Sequence, residues 1–457
     1  MSHAPAAATT TAAAAGRPAD AVGRLADEPV DHRFKGLPPD AEAAGLTVGE
    51  LAAQRRDLHT GGFTTPVLTL DADALAHNLA VLGRYTARHG LAFAPHGKTC
   101  MSPQLFERQL EHGAWGITAA MPHQARVYRA FGIQRIFLAN QLVDPAALRW
   151  VAAELAADPE FRFVCYVDSV RGVELMDQAL AEAGAGAGAG AAADATRRPV
   201  DVVIELGAGE GARTGARTED DCRAVADAVA RTATLRLVGV AGYEAEVPGA
   251  DAAKVTAWLR RMTALTVAFD EEGRFGALAP GEEIIVSAGG SAWFDSVAEV
   301  FAELPPLSAP ALKLLRSGAY VSHDHDWYTK LTPFNRVPEE GGLLPAFRLW
   351  AQVVSRPSPT QAFLNAGKRD MAYDLGLPVP EVVRSARDGV ERPAAGLRLV
   401  KVSDQHAWLE TDGAGDVEVG DLVGLAMSHP CTIFEKWQLI PVVAADGTVT
   451  EFVRTFF

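Results

Sequence analysis

From Thr65 onward the apolar positions alternate between two rhythms. Short continuous apolar runs, the length of a buried strand, are followed by stretches in which apolar residues return every three or four positions, the period of an amphipathic helix. Val67-Leu68-Thr69-Leu70 is a strand-like run ahead of the eight counted next, and Asp71 to Arg88 is helical in period. The later runs are Leu91–Pro95, Trp115–Ala119, Arg135–Ala139, Arg162–Val167, Val200–Leu206, Leu235–Tyr243, Glu283–Ser287 and Leu312–Ser317. Amphipathic segments such as His123–Phe131, Pro145–Ala156 and Asp220–Thr232 separate them. Eight β/α repeats with continuous apolar strands predict a parallel sheet covered by helices. Their count and span of roughly 270 residues suit a (β/α)8 barrel, with a doubly wound open sheet as the alternative.

The barrel is expected over residues 63–335. After about Asn335 the texture changes to short strand-like runs between Gly, Pro and Asp turns: Leu349–Ser355, Leu397–Ser403, His406–Glu410, Asp421–Ala426 and Trp437–Val443. Residues 336–457 therefore read as a second, mostly-β domain. Ahead of the barrel, residues 24–62 read as a helical lead-in, with Thr47 as N-cap for the helix opening at Val48. The Ala/Thr/Pro-rich residues 1–23 read as a disordered extension without the features of a secretory signal. The Gly-Ala tract from Ala183 to Ala195 reads as a flexible surface insertion.

Composition narrows the function classes. With 457 residues, 48% hydrophobic and 22% charged, the chain suits a soluble two-domain protein. A net charge of −15 argues against nucleic acid as a partner. No apolar run approaches the ~18 residues of a membrane span. Four widely spaced cysteines, with no C-x-x-C pair, fit a reducing cytoplasm.

Candidate chemistry sits where barrel strands end at their carboxyl side. Pro95-His96-Gly97-Lys98-Thr99 follows the first barrel run. A poorly solvated lysine there can act as a nucleophile and form a Schiff base with a carbonyl, such as the aldehyde of pyridoxal phosphate (PLP). The seventh run ends in Ser287-Ala288-Gly289-Gly290-Ser291, where adjacent glycines let backbone N–H groups approach a phosphate and the helix starting near Trp293 aims its N-terminus at the same point. After the fifth run, Arg213 lies within Gly211 to Gly215 and could reach the pyridine nitrogen, which it would leave unprotonated. His323-Asp324-His325-Asp326 after the eighth run reads as a polar turn, a substrate contact or a metal cluster. In His429-Pro430-Cys431 an extended backbone would point His429 and Cys431 to one side, a donor pair for an open zinc-like site.

Together these stretches resemble the fold-type III PLP enzymes of the D-serine dehydratase and D-threonine aldolase family, whose N-terminal domain is of the alanine racemase type. The matching stretches are Thr65-Pro66 before Val67-Leu68, then Pro95 to Thr99, Gly211 to Gly215, Gly242-Tyr243-Glu244, Ser287 to Ser291, Gly318-Ala319-Tyr320 and His429-Pro430-Cys431. The resemblance implies that Lys98 carries PLP and acts as the catalytic residue. Gly289, Gly290 and Ser291 would bind its phosphate, and Arg213 would face its pyridine nitrogen. His96, Tyr243, Ser287 and Tyr320 join the cofactor contacts. His429 and Cys431 would hold a divalent metal, zinc ahead of Mn²⁺ or Mg²⁺. A homodimer is implied as well. Two departures stand out: Cys100-Met101 replaces the family's usual His-Lys, and the metal motif is the H-x-C of the dehydratases rather than the H-x-D of the aldolases.

The expected function is a PLP- and metal-dependent lyase on D-β-hydroxy amino acids, D-serine dehydratase-like, releasing a 2-keto acid and ammonia. The alternative is a D-threonine aldolase-type retro-aldol cleavage to glycine and an aldehyde. Racemisation would need a second base, for which Tyr243 or Tyr320 could be proposed. A non-catalytic PLP-binding protein is the alternative of another class.

Overall fold

The computed structural model describes residues 20–185, 198–412 and 417–457. The expected extension 1–23, up to residue 19, and the Gly-Ala insertion, from residue 186, lie outside the described residues. Ala183 to Ala185 still belong to the helix Val170–Ala185.

Eight parallel strands form the first sheet: Ala92–Phe93, Ile117–Ala119, Arg135–Gln141, Arg162–Val167, Val200–Leu206, Leu235–Gly242, Ile284–Ala288 and Ala311–Leu315. Each pairs with the next in sequence from the second strand to the eighth, and the eighth pairs with the first. The ring closes between the first and second strands, where Trp115 N–H donates to Phe93 O and Thr118 N–H to Pro95 O at 2.8 Å. The result is a (β/α)8 barrel. Its interior holds Phe137, Val164, Tyr166, Val203, Val238, Ile285 and Leu314, while alternate residues such as Val202 and Ile204 pack outward under the helices.

Local chemistry starts the helices where the pattern predicts. Pro103, Pro122 and Pro145 open helices Pro103–Glu111, Pro122–Ala130 and Pro145–Ala157, at the position where a missing N–H costs nothing. Thr218 and Asp221 form a reciprocal capping box at helix Glu219–Ala230, as Thr47 and Glu50 do at Val48–Ala53. A long helix follows each of the first seven strands. Helix Ala72–Arg88, which precedes the first strand, packs beside the turn after the eighth, with Asn78 Nδ2 donating to Val321 O at 3.4 Å.

Strand Val67–Asp71 corrects the expected domain boundary. The sequence groups it with the barrel, but it lies in a second, ten-stranded sheet. There it pairs antiparallel with Phe347–Ser358 and parallel with Leu439–Val443. Its apolar side chains complete that sheet's core, with Val67 buried against Trp350, Leu439 and Phe452. The lead-in packs on the same sheet through Phe34, Leu37, Val48 and Leu51. Chain order therefore does not separate the domains: the β domain borrows residues from both sides of the barrel. The remaining strands agree with the expected β texture. Gln361–Leu364, Val379–Arg384, Glu391–Pro393 and Val449–Arg454 add to those read from the sequence.

Candidate active site

A cavity of about 300 Å³ opens at the carboxyl ends of the barrel strands, bounded on one side by the β domain. Lys98 stands on its wall, half-buried, in the turn Gly97–Thr99 just beyond the first barrel strand. Gly97 is required there, because a Cβ would sit 2.7 Å from Ile117 Cγ2 and from the Tyr128 ring. Close packing beneath the turn thus sets where the lysine emerges.

His96, Arg213, Tyr243, Gly290, Ser291, His429 and Cys431 line the same cavity. The sequence spreads these residues over more than three hundred positions, and the barrel gathers them at one end. Burial, with the charges of Lys98, Arg316 and Arg213, pushes the His96 imidazole well below its usual pKa, so it is neutral at pH 7. Arg213, largely exposed at 72%, is tethered by Glu246 and lies 5.5 Å from the Tyr243 ring centre. Burial and the neighbouring Glu244 push the Tyr243 phenol up to about 12.

Three expected cofactor contacts are corrected. Tyr320 points into the core, 2% exposed, with its ring 5.3 Å from that of Phe93. It follows Gly318 in a tight turn that directs Gly318 and Ala319 to the cavity and the phenol away from it. Ser287 is buried between strands, donating to Leu314 O at 3.0 Å and accepting from Arg316 Nε at 2.8 Å. Gly289 lies behind the cavity wall, and its N–H, like that of Gly290, is already bonded to the buried carboxylate of Glu244. What remains on the wall is Ser291 at the start of helix Phe294–Ala302, which has no side-chain cap, and the Ser291 hydroxyl accepts Ala319 N–H at 3.4 Å.

The His429–Cys431 pair also meets in an unexpected way. The backbone is not extended. His429 takes a left-handed φ of +62° and Pro430 is helical, opening the short helix Cys431–Phe434. The turn brings the imidazole and thiol together. Asp374 accepts from His429 Nδ1, and Cys431 Sγ lies 3.6 Å from Thr99 Oγ1, one residue from Lys98. The bond to Cys431 raises the His429 pKa to about 9 against the opposing effect of burial, with Asp374 adding to the rise. Burial opposes charge on Cys431, but His429, Thr99 and the charge of Lys98 hold the thiol below its usual range. The donors are thus an imidazole whose orientation a carboxylate fixes and a thiol disposed to ionise, a set that suits a zinc-like ion with open positions.

The His323–Asp326 cluster does not converge as a metal site. His323 is buried against Thr329, His325 pairs with Glu381 at 3.1 Å, and half-buried Asp326 pairs with Lys330. Among the described residues no group of three or more His, Cys, Asp or Glu side chains could hold a metal ion.

Tyr166, Glu205, Arg316 and Tyr328 also line the cavity. Nothing in their sequence context marks them; barrel register turns Tyr166 and Glu205 inward, and the path of the chain after the eighth strand brings in Arg316 and Tyr328. Burial raises the Glu205 carboxyl, which accepts from Gln141 Nε2 at 2.7 Å. Two buried polar atoms on the cavity residues, His96 Nδ1 and Tyr166 Oη, have no partner among the described residues. A polar ligand here would satisfy them. A half-buried lysine, a cation and the start of a helix around such a cavity fit PLP.

This is the architecture of an alanine racemase-type barrel joined to a β domain. Residues 70–292 match the family model "Alanine racemase, N-terminal domain", and residues 346–443 match "Putative serine dehydratase domain". The chain belongs to the fold-type III family that joins these two domains. It is 27% identical over 393 residues to D-threonine aldolase of Arthrobacter sp, covering 85% of this chain and 90% of that protein. Among solved structures, D-threonine aldolase from Filomicrobium marinum superimposes with a TM-score of 0.68 at 24% identity, covering 86% of this chain and 95% of that one. D-threo-3-hydroxyaspartate dehydratase from Delftia sp. HT23 gives 0.63 at 22%, covering 88% and 99%. Solved structures of D-threo-3-hydroxyaspartate dehydratase include a His-to-Ala variant and a Cys-to-Ala variant, two positions further on, in the metal-free form.

Proposed function

We propose that the protein is a PLP- and divalent-metal-dependent lyase acting on D-β-hydroxy amino acids. The observation that carries this reading is the convergence of Lys98 with the His429–Cys431 pair on one cavity, with Thr99 next to Lys98 in contact with Cys431. When bound, PLP would supply the electron sink for a bond broken at Cα, and a metal on His429 and Cys431 would supply a Lewis acid for the β-hydroxyl.

The chain's own residues divide the rest of the work. Lys98 Nζ would take the Cα proton as general base. Arg213 would hold the ring end of the cofactor without donating a proton, since guanidinium does not release its proton at working pH. Neutral His96 adds no charge beside Lys98. Ser291 and the start of helix Phe294–Ala302 receive the phosphate. Asp374 fixes the His429 ring, and the β domain closes the cavity over the hydroxyl end of the substrate.

For the bond that breaks we favour elimination to a 2-keto acid and ammonia, as in a D-serine or D-3-hydroxyaspartate dehydratase. Support comes from Cys431: a thiolate donor suits a tightly held, zinc-like ion that can activate a hydroxyl as leaving group. The dehydratase altered at a His and at a Cys two positions on supports the same pairing. A second reading, retro-aldol cleavage of D-threonine, is favoured by the relative named D-threonine aldolase. Incubation with D-serine, D-threonine and D-threo-3-hydroxyaspartate separates them. Keto acid and ammonia support elimination; glycine with acetaldehyde or glyoxylate as dominant products establishes the aldolase reading; inert D-forms overturn both.

A further inference from the structure

Asp324 lies on the loop after the eighth barrel strand and is enclosed, 1% exposed. One of its oxygens, Oδ1, accepts the backbone N–H of Tyr328 at 2.8 Å, Asp326 at 3.2 Å and Thr329 at 3.3 Å, which folds the loop around the carboxylate. The other, Oδ2, crosses to the β domain and accepts the backbone N–H of His429 at 3.0 Å. A second link runs alongside, from His325 N–H to Met427 O at 3.3 Å.

His429 needs such a tether. A non-glycine residue at φ +62° sits in a sparsely populated region and persists there only when its surroundings hold it. The N–H bond marks the plane of the preceding peptide, and φ is the rotation about the bond from that plane to Cα. Anchoring the N–H on a buried carboxylate therefore fixes the origin of the turn, while Asp374 fixes the ring at its other end. The same Asp324 orients the segment carrying Tyr328, which lines the cavity together with Cys431.

We propose that Asp324 is a positioning residue that holds His429 in its left-handed turn, preorganises the His429–Cys431 donor pair for a divalent cation, and ties that pair to the barrel loop bearing Tyr328. The inference rests on the metal-dependent reading given above.

The test measures Zn²⁺ affinity of the PLP-loaded protein by competition with a chromophoric chelator, for the parent, Asp324→Asn, Asp326→Asn and His429→Ala. Asparagine keeps the volume but replaces one acceptor oxygen with a donor. Loss of a partner that orients a ligand costs about ten- to a hundredfold in metal affinity. Asp324→Asn is expected to weaken Zn²⁺ binding by about that factor with PLP absorbance unchanged, and Asp326→Asn, altered on the same loop where the side chain pairs with Lys330, to stay within about twofold of the parent. Parent-like affinity in Asp324→Asn overturns the inference. A parent that binds no Zn²⁺, or binds it equally well in His429→Ala, overturns the metal reading itself, which is a different result. Should Asp324→Asn fail to fold, hydrogen exchange of the metal-free parent decides: the His429 amide is expected to exchange slowly, and exchange at the rate of an unprotected amide overturns the proposal.

Discussion

The carboxylate of Glu244 accepts the backbone N–H of Gly290 at 2.6 Å, and that of Gly289 at 2.8 Å. Two adjacent glycines offer the geometry of an anion slot, and the protein fills it with an anion of its own. Glu244 is fully buried, so these bonds act in a low dielectric and hold the loop that carries Ser291 to the cavity.

Glu244→Gln should therefore loosen the loop. One amide N–H would face the side-chain NH₂ instead of an acceptor, at a cost of about 2 kcal/mol. Urea denaturation should show this loss, and PLP should leave the variant faster on dialysis. Parent-like stability and retention would mean that the two glycine amides need no acceptor.

Lys98 should be the residue that bonds PLP. The reconstituted protein should be yellow, and borohydride should fix the label on the peptide containing Lys98. Lys98→Ala should be colourless under the same treatment, with no activity. A label mapping to any other lysine refutes the assignment.

Removing the metal should separate activity from cofactor binding. The proposed donors His429 and Cys431 lie at the β-domain edge of the cavity, whereas Lys98 belongs to the barrel. Chelation should abolish turnover with the visible band largely intact, and Zn²⁺ or Mn²⁺ should restore it. Cys431→Ala should behave like the chelated enzyme. Full turnover in metal-free protein would remove the metal from the reaction.

Stability should fall on mild acidification. Burial lowers the His323 pKa from 6.5 to about 4, with His325 adding to the effect, and burial holds that of His96 well below its usual value. Below pH 6.5 the unfolded chain takes up protons on both histidines and the folded chain does not, so stability is complete above 6.5 and declines as pH drops. For His323 alone the loss down to its folded value amounts to about 3 kcal/mol. Urea midpoints at about pH 7.5 and about pH 5 check this, and His323→Gln should show a smaller drop between them. A pH-dependent drop in His323→Gln as large as the parent's would show that His323 is charged in the fold.

Much of the architecture was legible in the chain. Continuous apolar runs report strands buried on both faces, and proline or a Thr/Asp cap reports where helices begin, because these are local properties of a few neighbouring residues. Lys98, Arg213, Ser291, His429 and Cys431 could be singled out for the same reason: each sits beside glycine, proline or a strand end whose chemistry can be read in place. Ser287 and Tyr320 could not be judged that way. Which face of a strand or turn a side chain leaves by depends on register against its neighbours, and a shift of one residue reverses it.

The sequence by itself determined the repeat of strand and helix, the lysine at a strand end, and the presence of an imidazole and a thiol two residues apart. Tertiary structure decided the rest. It moved Val67–Asp71 into the other domain, because its apolar face completes the core there. It gave the Gly289–Gly290 amides to Glu244, turned His429 and Cys431 toward each other through a left-handed residue, and set Asp324 beneath them. The bonds of Glu244 and Asp324 join residues 45 and 105 positions apart, and the pairing of Val67 with Trp350 spans far more of the chain. Local propensity carries no information about such pairs, since only the closed barrel and its docked sheet bring them within reach.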